Sequence, residues 1–209
     1  MTHAQPMGPG DAFAQLSRIK LSETSLRDVF QRVVDLAILT FPEGTEASVT
    51  VVHGKDAYTP ASTGDLASAL DGSQYELGDG PCVRAASAIT IESVGDMATE
   101  SRWSDWAARA LEAGVRSSLS IGLPIHDTVS GALNLYATEP HAFDDDTIAV
   151  AQALASYASL AMANTYLSNA TVTPARHIEA AIASGAVFEQ ATASSWVTGT
   201  APPGKPSPS

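Results

Sequence analysis

Apolar residues recur at spacings of three and four through Leu26, Val29, Phe30, Val33, Val34, Ala37, Ile38 and Phe41. That period places them on one face of a helix over 25–41, which Pro42 and Gly44 end. The period then falls to two. Ala47, Val49, Val51 and His53 alternate with Ser48, Thr50 and Val52, a strand pattern, and residues 57–63 beyond the Gly54-Lys55-Asp56 turn can return as its hairpin partner. Asp65 to Leu70 reads as a short helix. Gln74 to Cys82 reads as a loop in which Gly78 and Gly80 permit unusual backbone angles, and Pro81 opens a helix to about Ala88.

A short apolar strand covers 90–94. Ser101 is placed to cap a helix carrying Trp103, Trp106, Ala107, Ala110 and Leu111 on one side, and Gly114 closes it. The clearest alternation follows: Val115, Leu119, Ile121, Leu123 and Ile125 against Arg116, Ser118, Ser120, Gly122, Pro124 and His126, with only Ser117 out of pattern. A turn at 127–130 returns this strand as 131–137, its antiparallel neighbour. Asp144, Asp145 and Asp146 then sit at the start of a helix over 147–169, where acidic residues favour the positive end of the helix dipole. Small residues at Ala151, Ala155, Ala158, Ala161 and Ala163 allow another helix to come close. Outside this span, 1–10 is a Gly- and Pro-rich flexible arm and Asp11 can cap a helix to about Lys20. Thr173-Pro174 opens a further helix over 173–191, and 192–209 is expected to be a disordered tail.

Composition narrows the function classes. The 209 residues hold 11 Lys and Arg against 23 Asp and Glu, a formal charge of −12, so a general polyanion such as nucleic acid is a disfavoured partner, as is an acidic membrane surface. The lone Cys82 cannot form an intramolecular disulfide, which fits a reducing compartment. The opening residues show no basic stretch followed by an apolar one, and no apolar run nears the roughly 20 residues of a bilayer span. The expected location is therefore cytoplasmic. His3, His53, His126, His141 and His177 have no ligand spacing with one another or with Cys82, so no metal is expected, and no motif calls for a cofactor.

Three segments, taken in order, carry a family resemblance: Glu76-Leu-Gly-Asp-Gly-Pro-Cys82, Ser101-Arg-Trp103, and Gly114 to Ile125 leading into Gly131-Ala-Leu-Asn-Leu-Tyr136. Together with the element order, they make residues 11–169 resemble a GAF domain of the kind joined to ANTAR output domains in bacterial regulators. Residues 178–191 are similar to the first helix of an ANTAR domain, an RNA-binding antitermination module, but the basic and aromatic residues of its remainder are absent. The resemblance implies an α/β (α+β) fold: an antiparallel sheet with terminal helices packed on one face and a loop-covered pocket on the other. It further implies a non-enzymatic module for signal transduction or transcription control. Such a module is expected to bind a small molecule, to form a homodimer through helices 25–41 and 147–169, and to address a protein output partner. A structural dimerisation domain without ligand, or an RNA-binding antitermination regulator, is the alternative. The family also includes a free methionine sulfoxide reductase, whose thiol cycle needs a resolving cysteine that this chain lacks.

The candidate ligand-binding residues are Tyr75, Gly80, Cys82, Arg84, Trp103, Ser118, Ser120, Asn134 and Tyr136; none is assigned a catalytic role. Cys82 lies in a first helical turn, where free amides and the dipole can lower a thiol pKa, but unpaired cysteines are more often buried packing residues. The amides after Gly80, with Arg84 one turn on, could hold an anion unless Asp79 caps the helix itself. Ser118, Ser120, Asn134 and Tyr136 share the polar side of their strands and could floor a cavity or line a solvated face. Trp103 and Trp106 could cover an aromatic ligand, although their spacing is the commoner signature of core packing.

Overall fold

The structure, a computed structural model, describes residues 25–170. The expected arm, the helix after Asp11, the 173–191 helix and the tail lie outside the described residues. Helix α1 (Leu26–Thr40) starts at Ser25, whose hydroxyl accepts from the Asp28 amide at 3.2 Å while the Asp28 carboxylate takes the Ser25 amide at 3.3 Å. This reciprocal pair satisfies amide donors that the first turn leaves free. Strands β1 (Glu46–His53) and β2 (Asp56–Ser62) form the expected hairpin.

Helix α2 (Asp65–Leu77) is longer than its pattern suggests. Gly72 and Ser73 weaken the helical signal after Leu70, yet the chain stays helical to Gly78, which ends it with φ 70°. The carboxylate of Glu46 accepts the Ala67 amide at 3.0 Å, placing a negative charge at the helix's positive end. Gln74 and Tyr75 therefore stand on a helix, not on a loop. Helix α3 (Pro81–Ala88) begins with proline at its first position, as expected. Strand β3 (Ile91–Val94) and a 3-10 turn at Met97–Thr99 lead to α4 (Ser104–Glu112). Ser101 does not cap α4: the helix starts three residues later, and Trp103 at its entry gives no side-chain cap.

Strands β4 (Ser117–His126) and β5 (Val129–Ala137) pair antiparallel, and α5 (Asp145–Ala170) closes the domain. Asp144 caps α5, its carboxylate accepting the Thr147 amide at 2.8 Å. Ser117, out of pattern in the sequence, is buried and donates to the Glu139 carbonyl at 2.7 Å, tying the strand to the loop after β5.

The sheet order is β2-β1-β5-β4-β3, antiparallel throughout. Because side chains alternate along a strand, each rung of the register belongs to one face. Ala47, Leu135 and Leu119 share one row, and Val49, Leu133 and Ile121 the next. These rows are buried beneath α1, which packs on β1 and β2, and α5, which packs on β4. The other rows, among them Ser48, Asn134 and Ser120, face α2 and α3. The chain thus makes a mixed α/β fold with its terminal helices on the apolar side. Among the described residues no helix is long and apolar enough to cross a membrane.

Candidate functional site

Helix α2 sends Asp71, Gln74 and Tyr75, spaced three and four apart, down onto the polar face of the sheet. Asp71 is fully buried. One of its carboxylate oxygens accepts the Tyr136 hydroxyl at 2.5 Å and the Asn134 amide at 3.2 Å, and the other accepts Thr59 Oγ1 at 2.8 Å. Burial pushes this carboxyl up to about 6, with the same hydrogen bonds opposing the shift.

An ionised Asp71 can only accept, and this fixes the direction of a chain of hydroxyls. Thr59 gives its proton to Asp71, so the Tyr75 hydroxyl, 2.8 Å away, donates to Thr59. Thr50, 2.9 Å from Tyr75, must then donate to it, and Thr50 in turn accepts Asn134 Nδ2 at 2.9 Å. Asn134 Nδ2 also faces Ser48 Oγ at 3.1 Å. The amide orientation is thereby determined, since turning it over would set Asn134 Oδ1 against the carboxylate. Asn134 Oδ1 consequently points away from these acceptors and has no hydrogen-bond partner; neither have the buried hydroxyls of Ser118 and Ser120. Ser120 is paired with Asn134 across the β4–β5 register, and Ser118 with Tyr136. All four are buried, so they do not line a solvated sheet face.

At the start of α3 the structure corrects the expected cap. The Cys82 amide donates to Gln74 Oε1 at 2.8 Å, whereas Asp79 accepts its neighbour Gly80 and the Trp103 indole, at 2.8 and 3.1 Å. A residue on the preceding helix reaches this amide because α2 continues past Leu70. Gly80 has φ 154°, and a Cβ there would run into the Gln74 side chain. An anion at these amides would have to displace Gln74, and Arg84 is exposed. Cys82 is fully buried, and burial raises its thiol well above the usual range, with the Asp71 charge adding to the shift. Burial therefore works against a reactive thiolate at this helix start. Trp106 is core: it packs near the Tyr136 ring, with centroids 6.5 Å apart, and donates to the Leu70 carbonyl. Trp103 packs partly against the same cluster.

The fold thus brings Tyr75, Cys82, Ser118, Ser120, Asn134 and Tyr136 to one side of the sheet, with Gly80 at its rim; Arg84 stands apart. Asp71, Gln74, Thr50 and Thr59 were missed by sequence reasoning. Their signal was present in the 71/74/75 spacing and in the alternation that put Ser48 and Thr50 together.

The GAF domain family model matches residues 23–163. The chain belongs to the GAF domain family. Solved structures with the same fold include the phycoerythrobilin-bound GAF domain of a cyanobacterial phytochrome, at 15% identity and TM-score 0.56, covering 77% of this chain and 97% of that one. Another is the GAF domain of a phosphoenolpyruvate-protein phosphotransferase from Coxiella burnetii, at 17% identity and TM-score 0.54, covering 80% and 99%. A third is the reduced free methionine-R-sulfoxide reductase (fRMsr) of Staphylococcus aureus, at 15% identity and TM-score 0.59, covering 78% and 99%. No curated protein matches the chain.

These likenesses show the fold, and they overturn one expectation. The resemblance implied a non-enzymatic domain, but the same fold houses a reductase, so the fold is compatible with catalysis. A single cysteine bears on one thiol mechanism only and leaves other catalysis open.

Proposed function

We propose that this GAF domain is a small-ligand regulatory module that meets its ligand on the polar face of the sheet and relays binding through α1 and α5 in a homodimer. The observation that carries this reading is the set of unpartnered buried groups, Asn134 Oδ1 and the Ser118 and Ser120 hydroxyls, beside the Asp71 carboxylate. Each such group costs about 1–3 kcal/mol when left unsatisfied, and a ligand supplying hydrogen-bond donors to Asn134 and Asp71 would recover part of that cost. Tyr136 shares this floor, and Tyr75 and the Gly78–Gly80 loop stand at its edge.

Transmission rests on α5. Between Thr147 and Ala170 this helix carries no charged residue. Ala153, Tyr157, Leu160, Asn164 and Leu167 follow a heptad spacing, with Leu160 and Leu167 59% and 54% exposed. A second copy laid along this stripe would cover it, and the Asn164 amide in the row could set the register. Ligand binding would change what such a dimer presents only if the two packings differ in ligand affinity. The output would then fall to residues 173–191, similar to the first ANTAR helix, or to a protein partner.

A second reading, a dimerisation domain without ligand, is favoured by one feature: Asp71, Gln74 and Tyr75 themselves occupy much of the polar floor. Native mass spectrometry of the purified chain, with a thermal-shift screen of nucleotides and metabolites, separates the two. The regulatory reading expects a retained compound or a raised melting temperature that the Asp71→Asn variant loses. A screen in which nothing is retained and no compound moves the melting temperature would leave the scaffold reading standing.

A further inference from the structure

At the β3 edge of the sheet, a groove of about 370 Å³ lies between the end of α3, the end of β4 and the first half of α5. Ile89, Ile91, Ile121 and Pro124 give it an apolar wall. Gln152, Ala155, Ser156 and Ser159, spaced three and four apart, form the helical wall. No ionisable side chain lines it. The size falls within the range of small-molecule sites, which are mostly apolar with a few polar groups that fix orientation.

Two independent features mark the groove as more than a surface furrow. Ser159 is 8% exposed, and its hydroxyl has no hydrogen-bond partner. Other hydroxyls of the same helix settle locally: Ser156 donates to the Gln152 carbonyl at 2.8 Å and Thr165 to the Ala161 carbonyl at 2.9 Å. Ser159 makes no such bond. At the other wall, Ile89 ends α3 in the left-handed region, with φ 51°, an uncommon backbone for a β-branched residue, and its side chain is 45% exposed. The strained turn is held against β4 at Gly122, where a Cβ would lie 2.5 Å from the Ala85 carbonyl oxygen and 2.6 Å from Ile89 Cα. The apolar wall is therefore fixed in place by close backbone packing.

We infer that this groove is a second ligand site, taking a small neutral molecule with an apolar body and one hydroxyl or carbonyl end that pairs with Ser159. The absence of charge in the lining selects against ions, which would lose hydration without a counter-charge. At about 100° per residue, the row Gln152, Ala155, Ser156, Ser159 lies roughly 110° around α5 from the Tyr157–Leu160 stripe, and about as far from the core row Leu154, Ala158, Met162. A molecule in the groove would thus touch α5 without competing with helix pairing, at the β3 edge of the sheet, whereas Asp71 bonds Thr59 on β2 at the other edge.

The test is an amide-resolved NMR titration of the full chain with benzyl alcohol as probe, and with benzoate and benzylammonium as charged counterparts. Saturable shifts confined to Ile89–Ile91, Ile121–Gly122 and Gln152–Ser159 are expected, with both ions binding at least ten-fold more weakly. Ser159→Ala should weaken the alcohol about five-fold, the loss of one hydrogen bond. Ser156→Leu, an exposed position whose larger side chain fills the groove mouth, should weaken it at least ten-fold. Shifts that stay linear with concentration, equal binding of the ions, or unchanged affinity in both variants would each overturn the assignment.

Discussion

Replacing Asp71 by asparagine tests whether a carboxylate carries its charge into this core. The groups acting on it are neutral hydroxyls and an amide, and burial holds its folded-state pKa at about 6 against a usual value of 3.8. The folded chain therefore binds the proton more tightly than the unfolded chain does. Stability from this group is fully present below the unfolded value and is lost as pH rises through the folded one. A separation of about two pKa units corresponds to about 3 kcal/mol of cost at pH 7, of which about half is already present at pH 5. Asparagine has no ionisation to suppress. Its carbonyl can still accept Tyr136 and Asn134, while its amide meets Thr59, whose hydroxyl can turn to accept.

Urea unfolding of wild type and Asp71→Asn at steps between pH 5 and pH 7.5 isolates the group, because all other titrations cancel in the difference. The variant should gain on the wild type by about 1 kcal/mol as pH rises from 5 to 7. Whichever protein is the more stable at pH 5, it is this change with pH that carries the argument. A difference that stays flat over the range, or that moves in favour of the wild type, would show that burial does not hold the Asp71 carboxyl above its usual range.

Gly80→Ala would drive the new methyl into Gln74 and break its bond to the Cys82 amide, so we expect a loss of about 2–4 kcal/mol in unfolding free energy, read by urea denaturation. Leu160→Asp places a charge in the exposed stripe of α5; if the proposed dimer forms there, sedimentation velocity should show it shifted toward monomer, with the far-ultraviolet circular dichroism unchanged. Cys82, buried and neutral, should react with a thiol reagent only at the rate of opening of the native fold; a burst of labelling in folded protein would contradict its position.

The fold was legible where period and burial agree. The two-residue alternation of β4 and β5, and the three-to-four spacing of α1, each put one apolar face inward, and the structure buries those faces except at Ile38, which is 41% exposed near the end of α1. Helix α2 was harder to read. Gly72 and Ser73 lower local helix propensity by about 1 kcal/mol each at most, and tertiary contacts override that: Asp71 and Gln74 are held by partners 60 or more positions along the chain, at Asn134 and Tyr136. No local pattern reports such partners. The same helix continuation explains why Asp79 looked like the α3 cap, since Gln74 was assigned to a loop that could not aim it. Ser118, Ser120, Asn134 and Tyr136 were grouped correctly by alternation alone, but their unsatisfied state depends on which amide face Asn134 turns toward Asp71.

That unsatisfied state leads to a prediction that separates use from packing. A domain selected only for stability would gain by filling positions 118 and 120 with apolar side chains, because a buried hydroxyl without a partner costs more than the methyl that replaces it. Ser120→Ala removes a hydroxyl that makes no hydrogen bond and leaves a neighbour, Asn134 Oδ1, that was already unpaired. The expected outcome is an unchanged or higher urea midpoint, by up to about 1 kcal/mol, together with loss of any thermal shift found for a ligand of the wild type. If instead the variant loses 1 kcal/mol or more without ligand, the hydroxyl is satisfied in solution, and the polar floor serves the fold before it serves a ligand.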